Sequence, residues 1–380
     1  MVEPKSLAME YVQERITTLH DLTGRGPPAI DRTLAETAVV VPMTDREHAS
    51  LATERVLSTL ERVDVAEVFV PVRAPADRIE AFDAWLRTFD LPLTTLWCNA
   101  PAVERRLADV GLDDEAGKGH DVWLALGPAA DAAASIVVHD ADVASYDRHH
   151  VERLLTPLSM GYEFSKGYYA RVENDQLYGR LYRLLYAPLL RALADEHDSD
   201  VIEYLDSFRY ALAGEFAMSQ ALARTVRPPR SWGLEVGTLG DAYAHAGFAD
   251  TAQVDLGRHE HDHRAVAGET GLEGMSRSVA ETLFQVLESN GVEPTYVDLR
   301  ERYLAAGDRL VEQYRADARY NSLAYDAADE RSQLRRYVDA IEPPGPDRRR
   351  PSWEAAPLDP VEIVELAKPI AEGETRPIHR

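Results

Sequence analysis

The sequence predicts an α/β fold built on a mostly parallel sheet, with a helical C-terminal region after it. Three observations carry this. Short apolar, β-rich runs alternate with amphipathic helical stretches between about residues 38 and 138, the pattern of βαβ units. One of these runs, Ile136-Val137-Val138, ends in His139-Asp140-Ala141-Asp142, which puts two carboxylates just past a strand end. Ligands collect at that end in open α/β sheets. From Ser276 onward the apolar periodicity is mainly helical.

In chain order, Leu7, Tyr11, Ile16 and Leu19 recur at helical spacing, so about Ser6 to Leu22 reads as a helix. The stretch GRGPPAID breaks it. Ala38 to Pro42 is a strand and about Glu47 to Val63 a helix. Strand and helix alternate through Ala66–Val72, Ala76–Phe89, Thr94–Cys98 and Val103–Val110, then Lys118–Leu126 and Ile136–Val138. Past the aspartates, Tyr162–Val172 is extended and Asp175–Ala194 a strong amphipathic helix. Val201–Phe208 and Glu215–Ala223 read as shorter helical pieces, Leu234–Ala246 as a helix, and Thr251–Leu256 as a late strand. Helices continue through Glu301–Tyr314 and Ala327–Ile341, and IEPPGPDRRRPSW has the composition of a linker. The chain therefore divides into an N-terminal helical extension (1–34), an α/β domain (35–265), a helical region (266–342), and a linker with a tail (343–380).

The 380 residues carry 65 acidic and 41 basic side chains, a formal charge of −24. Nucleic acid and anionic membrane surfaces repel such a surface, so neither is an expected partner. The acid excess is spread along the chain, as surface solvation in a salty cytoplasm would require; at 1 M salt a Debye length of roughly 3 Å screens the self-repulsion. Cys98 is the one cysteine, so no intrachain disulfide forms, which fits a reducing compartment. No signal peptide is evident in MVEPKSLAMEYVQERI, and no apolar run approaches the roughly 20 residues that span a bilayer.

Several groups carry candidate chemistry, each with a plain alternative. Asp140 and Asp142 can turn oxygens toward one hard cation such as Mg²⁺ or Mn²⁺, or form an acidic turn. Gly117-Lys118-Gly119 stands before a helix, where a lysine suits a phosphate or sugar hydroxyl, although GxxxxGK[ST] is absent. His259, His261 and His263 alternate after a strand, which allows a zinc site, one histidine joining a carboxylate-bound cation, or a polar loop. Glu235 in SWGLEVG faces a sugar or simply begins a helix. Arg180 follows Gly179 on a helix where Tyr178, Tyr182 and Tyr186 form a stripe, so it binds an anion or lies on a solvated face among packed rings.

Taken in order, GKGHDVW, VVHDADV, GRLYRLLYAPLL, LAGEFA, WGLEVG, QVDLGRHEHDHR and MSRSV resemble the glucosyl-3-phosphoglycerate synthase family of retaining glycosyltransferases with the GT-A fold. The resemblance runs from about Ala38 to Leu287 and is densest from Gly117 to Ser278. It implies a GT-A catalytic domain over 35–265, with a donor half to about residue 145 and an acceptor half after it. The implied reaction moves glucose from a nucleotide-glucose donor to D-3-phosphoglycerate, on the route to the compatible solute glucosylglycerate. By the same resemblance Asp142 and His261 hold Mg²⁺ or Mn²⁺. Pro42, Lys118, Asp140, Trp232 and Gly233 meet the donor, and Gly179, Arg180, Tyr182 and His263 the acceptor. Glu235 lies at the transferred sugar and, with Asp142, counts as catalytic. A homodimer is implied as well. Pro42-Met43-Thr44-Asp45-Arg46-Glu47 lacks the family's Asn-Glu pair, and Val70-Pro71-Val72-Arg73-Ala74 replaces its Asp-Ser-x-Ser. Tyr182 stands for a usual threonine and His263 for a usual asparagine. The donor's base and the exact acceptor stay open. A mannosyl-3-phosphoglycerate synthase, or another retaining transferase with a phosphorylated acceptor, is the nearest alternative. A nucleotidyltransferase would show a GxGxR loop that PMTDRE lacks, and a zinc-binding protein without activity would use the histidines alone.

Overall fold

A continuous run of buried side chains, Thr37-Ala38-Val39-Val40, all but Ala38 β-branched, forms the strand on which the sheet is built. Parallel strands covered on both faces demand such runs. The computed structural model describes residues 13–22, 26–113, 117–260 and 269–369. Its ten strands are β1 (Thr17–Leu19), β2 (Thr37–Val40), β3 (Met43–Thr44), β4 (Glu67–Arg73), β5 (Leu93–Trp97), β6 (Ser135–Val138), β7 (Phe164–Glu173), β8 (Gln176–Leu177), β9 (Phe216–Ser219) and β10 (Thr251–His259). β2 lies parallel between β4 and β6, with Val39 opposite Val68 and Val137, and β5 extends the parallel set beyond β4. β3 pairs with Val72 and Arg73 at the far end of β4.

On the other side of β6 the direction reverses. β9 is antiparallel to both β6 and β7, and β7, β10 and β1 then run parallel to one another. This places the start of β9 beside the carboxyl end of β6, with Val138 opposite Phe216. The helices Leu51–Leu60, Lys118–Ala132 and His149–Ser159 bury apolar faces on the sheet. The long helices Glu269–Ser289 and Tyr296–Tyr320 with Ala327–Tyr337 form the helical region. No helix among the described residues is long and apolar enough to cross a membrane.

The structure departs from the periodicity at four places. Thr17–Leu19 is a strand, where helical spacing predicts a helix, because its two β-branched threonines and Leu19 complete the sheet edge on β10. Phe216–Ser219 is likewise a strand, since this short apolar run is buried between two strands. The helix expected from Asp175 starts later. Asn174 and Asp175 take φ of 47° and 55°, the left-handed pair of a tight hairpin turn, and Gln176 pairs back on Glu173. Helix begins only at Arg180 and passes through a wide π-turn, Tyr182–Tyr186, before Ala187–Ala194.

The fourth departure is the proline-rich segment after residue 342, which is a packed strap through residue 369. Trp353 stacks on Trp123 with ring centres 5.1 Å apart and donates its indole N–H to the Trp123 carbonyl at 2.6 Å. Gly127 makes room for it, since a Cβ there would lie 2.3 Å from the Trp353 ring. Farther on, the Ala367 carbonyl accepts from Trp97 N at 2.7 Å, at the end of β5. Proline and arginine content signals extended chain here, and the two tryptophans decide that it is buried.

Candidate active site

Three elements deliver charge to one point at the carboxyl end of β6. Past Val138 the chain is held to β2 by His139 N donating to the Val40 carbonyl at 3.0 Å, and Asp140 follows. Lys118 is the first residue of its helix. The glycines on either side of it let that helix start lie against the loop before Trp232: a Cβ on Gly117 would fall 2.6 Å from Ser231 Cα, and one on Gly119 1.9 Å from the Pro229 carbonyl oxygen. Gly233, at φ +95°, opens the helix Leu234–His245, and Glu235 occupies its first turn. Lys118 Nζ bridges the two carboxylates, 2.6 Å from Asp140 Oδ1 and 3.2 Å from Glu235 Oε1. Burial works against the lysine charge, but Asp140 and Glu235 outweigh it and hold the ammonium well above its ordinary pKa.

Asp142 is half-buried in the same turn. Loss of water, then the negative charge of Asp140, push its carboxyl up to about 7. Glu47 adds to this while closing the Thr44 cap, where Thr44 Oγ1 donates to Glu47 Oε2 at 2.7 Å. Carboxylates crowded in this way are short of positive charge, and their all-oxygen donor set suits a hard divalent cation. Among the described residues no three metal-binding side chains converge. His261 and His263, the expected metal and acceptor histidines, lie outside the described residues. Pro42 sits in the gap between β2 and β3, and Trp232 is 47% exposed beside Gly233.

Beneath Asp140 lies a polar layer of which the sequence reading names only His259 as a candidate. Glu215, just before β9, is fully buried, and burial and then Asp140 push its carboxyl up to about 8. Lys166 on β7 is buried as well; burial pulls its amine down to about 8 against the attraction of Glu235 and Glu215, and it donates to the Ala213 carbonyl. His259 is fully buried, 3.6 Å from Glu215 and stacked on Tyr169 with ring centres 3.8 Å apart. The available signal was Lys166 and Glu215 set singly within apolar runs, in FSKGYY and LAGEFA, where a charge is buried if the run is a strand.

The expected acceptor residues form a second group, joined to the first by rings. Tyr169 packs 5.0 Å from Tyr210, and Tyr210 packs 5.0 Å from Tyr182. Gly179, at φ +82°, passes close under Tyr210, whose hydroxyl would lie 2.8 Å from a Cβ. The Tyr182 hydroxyl donates to the Phe208 carbonyl at 3.2 Å and its ring stacks on Tyr186, so this part of the tyrosine stripe is packing. Arg180 keeps a half-exposed guanidinium, which is paired with Asp329 and Glu330 of the helical region.

No protein-family model matches the chain. A curated relative from Methanococcoides burtonii, named glucosyl-3-phosphoglycerate synthase, is 31% identical over 379 residues, covering 92% of this chain and 94% of the relative. One of the same name from Persephonella marina is 37% identical over 286 residues, covering 71% and 70%. Among solved structures, the glucosyl-3-phosphoglycerate synthase of Mycobacterium tuberculosis in complex with Mn²⁺, UDP-glucose and phosphoglyceric acid superposes with a TM-score of 0.55 at 26% identity. It covers 74% of this chain and 89% of that one. The mixed, mostly parallel sheet is the GT-A arrangement. With nearly its whole length aligned to a relative of that name, the chain belongs to the glucosyl-3-phosphoglycerate synthase family.

Proposed function

We infer that this protein is a glycosyltransferase that moves glucose from a nucleotide-glucose donor to D-3-phosphoglycerate with retention of configuration. The observation that carries the reading is Lys118 bridging Asp140 and Glu235 at the carboxyl end of β6. An ammonium held charged between two carboxylates can turn to a diphosphate or a sugar hydroxyl, and Glu235 then faces the transferred sugar. Asp142 with His261 would hold Mg²⁺ or Mn²⁺, which supplies Lewis-acid stabilisation of charge on the departing nucleotide. Pro42, Trp232 and Gly233 line the donor side, while Gly179, Arg180, Tyr182 and His263 belong to the acceptor side. Arg180 is the cation for the acceptor's carboxylate or phosphate, which a guanidinium grips bidentately. The buried thiol of Cys98 supports a cytoplasmic setting, and the acidic surface supports a salty one. A homodimer is part of the reading, checked by light scattering.

The deciding experiment incubates the protein with Mg²⁺, 3-phosphoglycerate and a panel of nucleotide sugars, and identifies the product by mass. Glucosyl-3-phosphoglycerate formed from a nucleotide-glucose supports the reading. Turnover only with a nucleotide-mannose, or only with another phosphorylated acceptor, replaces it.

A further inference from the structure

We propose that Asp329 and Glu330, on the helix Ala327–Tyr337, set how strongly Arg180 grips an anionic acceptor. Glu330 holds the guanidinium in place, and Asp329 occupies the face that the acceptor must take. The proposal rests on the acceptor reading of Arg180.

The two carboxylates are neighbours in sequence but differ in their surroundings. Arg180 Nε donates to Glu330 Oε1 at 2.8 Å, and Nη2 donates to Asp329. Glu330 is only 4% exposed and is shared with Arg183, which donates to its Oε2 and, at 3.4 Å, to its Oε1. Arg183 is itself fixed. It donates to the Tyr178 and Leu177 carbonyls at 3.3 Å each, and its guanidinium lies 5.1 Å from the Tyr314 ring centre. Glu330 therefore cannot swing away without leaving a buried Arg183 uncompensated, a costly arrangement. It acts as a positioning residue that aims Arg180 through Nε.

Asp329 is the opposite case. Its side chain is 46% exposed, Arg180 is its one ion-pair partner among the described residues, and it sits in the first turn of a surface helix, free to change rotamer. Arg180 is 37% exposed at the same place, and among the described residues its Nη1 donates to no protein acceptor. An arriving carboxylate or phosphate can use Nη1 at once, but a bidentate grip across Nη1 and Nη2 brings its charge against the Asp329 carboxylate already on Nη2, so it competes with Asp329 for that nitrogen. Asp329 is thus an internal stand-in for the acceptor's anionic group. Half-exposed ion pairs are weak, so it lowers acceptor affinity modestly, by about two- to fivefold.

The test varies 3-phosphoglycerate at saturating nucleotide-glucose and Mg²⁺. Asp329→Asn is expected to lower the acceptor KM about two- to fivefold, with kcat and donor KM unchanged and the thermal midpoint within about 4 °C of the parent. Glu330→Gln is expected to raise the acceptor KM about tenfold with donor KM unchanged, a split that a general loss of structure would not give. If Glu330→Gln does not fold, Asp329→Asn decides alone. Arg180→Ala separates the two layers of the argument. If it leaves the acceptor KM unchanged, the acceptor reading falls and the proposal with it. If it raises the acceptor KM while Asp329→Asn leaves that constant unchanged or raises it, the proposal is overturned and the acceptor reading stands.

Discussion

Replacing Lys118 by Met removes the ammonium that bridges Asp140 and Glu235 while keeping the apolar stem. The lysine side chain is 26% exposed and its partners 21% and 15%, so the triad lies between a surface pair and a buried one. Surface pairs contribute about 0–1 kcal/mol, and breaking a buried pair costs about 3–5 kcal/mol. We expect a loss of about 2 kcal/mol, since both carboxylates lose the ammonium that bridges them. At about 2–4 °C per kcal/mol for large domains, the thermal midpoint falls by about 5 °C. The activity effect should be larger. A cation aimed at a developing charge contributes about 3 kcal/mol, so turnover at saturating donor, acceptor and Mg²⁺ should fall at least a hundredfold. Acceptor KM should move little, because Lys118 lies on the donor side. Lys118→Arg should restore most of the stability and only part of the rate, since a planar fork cannot occupy a point-charge position. Nucleotide release and unfolding, followed on the same preparations, give both readouts. Turnover within threefold of the parent, alongside the predicted loss of stability, would refute the donor role and leave Lys118 a structural bridge.

Asp142→Ala is expected to lower metal-dependent turnover more than a hundredfold with the fold intact, measured at saturating donor and Mg²⁺ against circular dichroism. Trp353→Ala removes the ring stacked on Trp123 and should cost about 3–5 kcal/mol in urea unfolding; an unchanged midpoint would show that the strap is not held. His120 is kept neutral by burial and by Arg350, Arg73 and Arg230, which lower its pKa to about 3. Its contribution is therefore complete above about pH 6.5 and is lost as pH falls toward 3, about 2 kcal/mol by pH 5. Asp121 beside it, pushed up to about 6 by burial, has the opposite sign and loses stability as pH rises through that value. Since Asp121 remains in both proteins, His120→Gln should lower stability at pH 7.5 relative to pH 5 by about 2 kcal/mol compared with the parent, so that the variant becomes more stable at pH 5 than at pH 7.5.

Much of the donor half was legible because each βαβ unit there carries its own signal. Val39, Val68 and Val137 sit in runs that are apolar throughout, and strands buried on both faces must be so. The aspartates at the end of β6 and the lysine at a helix start could be named from local sequence alone. The acceptor half resisted for a different reason. Phe216–Ser219 is four residues long, and a short apolar run has no periodicity to tell strand from helix. Asn174-Asp175 did carry a turn signal, but the amphipathic pattern after it is strong enough to mask two residues of hairpin. Trp353 lies 230 positions from its partner Trp123, a contact that no local rule reaches. The same holds for Arg180 with Asp329 and Glu330. An arginine among tyrosines reads as free from sequence, and only the folded chain brings two carboxylates to it.

The antiparallel insertion of β9 explains why the site needs a glycine that no turn requires. With Val138 opposite Phe216, the register carries Asp140 opposite Gly214. A Cβ on Gly214 would lie 2.2 Å from Asp140 Oδ2 and 2.5 Å from its Cγ, so the carboxylate rests directly on the backbone of the incoming strand. Gly214 does not have a positive φ, so alanine meets no backbone penalty there. The three atoms nearest to such a methyl group all belong to Asp140. Gly→Ala at a compatible conformation stabilises by about 0.4–1 kcal/mol through the unfolded chain, which offsets much of the crowding. Gly214→Ala should therefore leave the unfolding midpoint within about 1 kcal/mol of the parent. It should nevertheless displace the Asp140 carboxylate from the Lys118 ammonium 2.6 Å away, and so lower turnover at least tenfold. Stability and rate then separate, which a generally damaged sheet could not produce. Unaltered turnover in a stable Gly214→Ala protein would mean that the position of Asp140 does not matter to the reaction. A protein that loses several kcal/mol would mean that the strand cannot accept even one methyl group at this point.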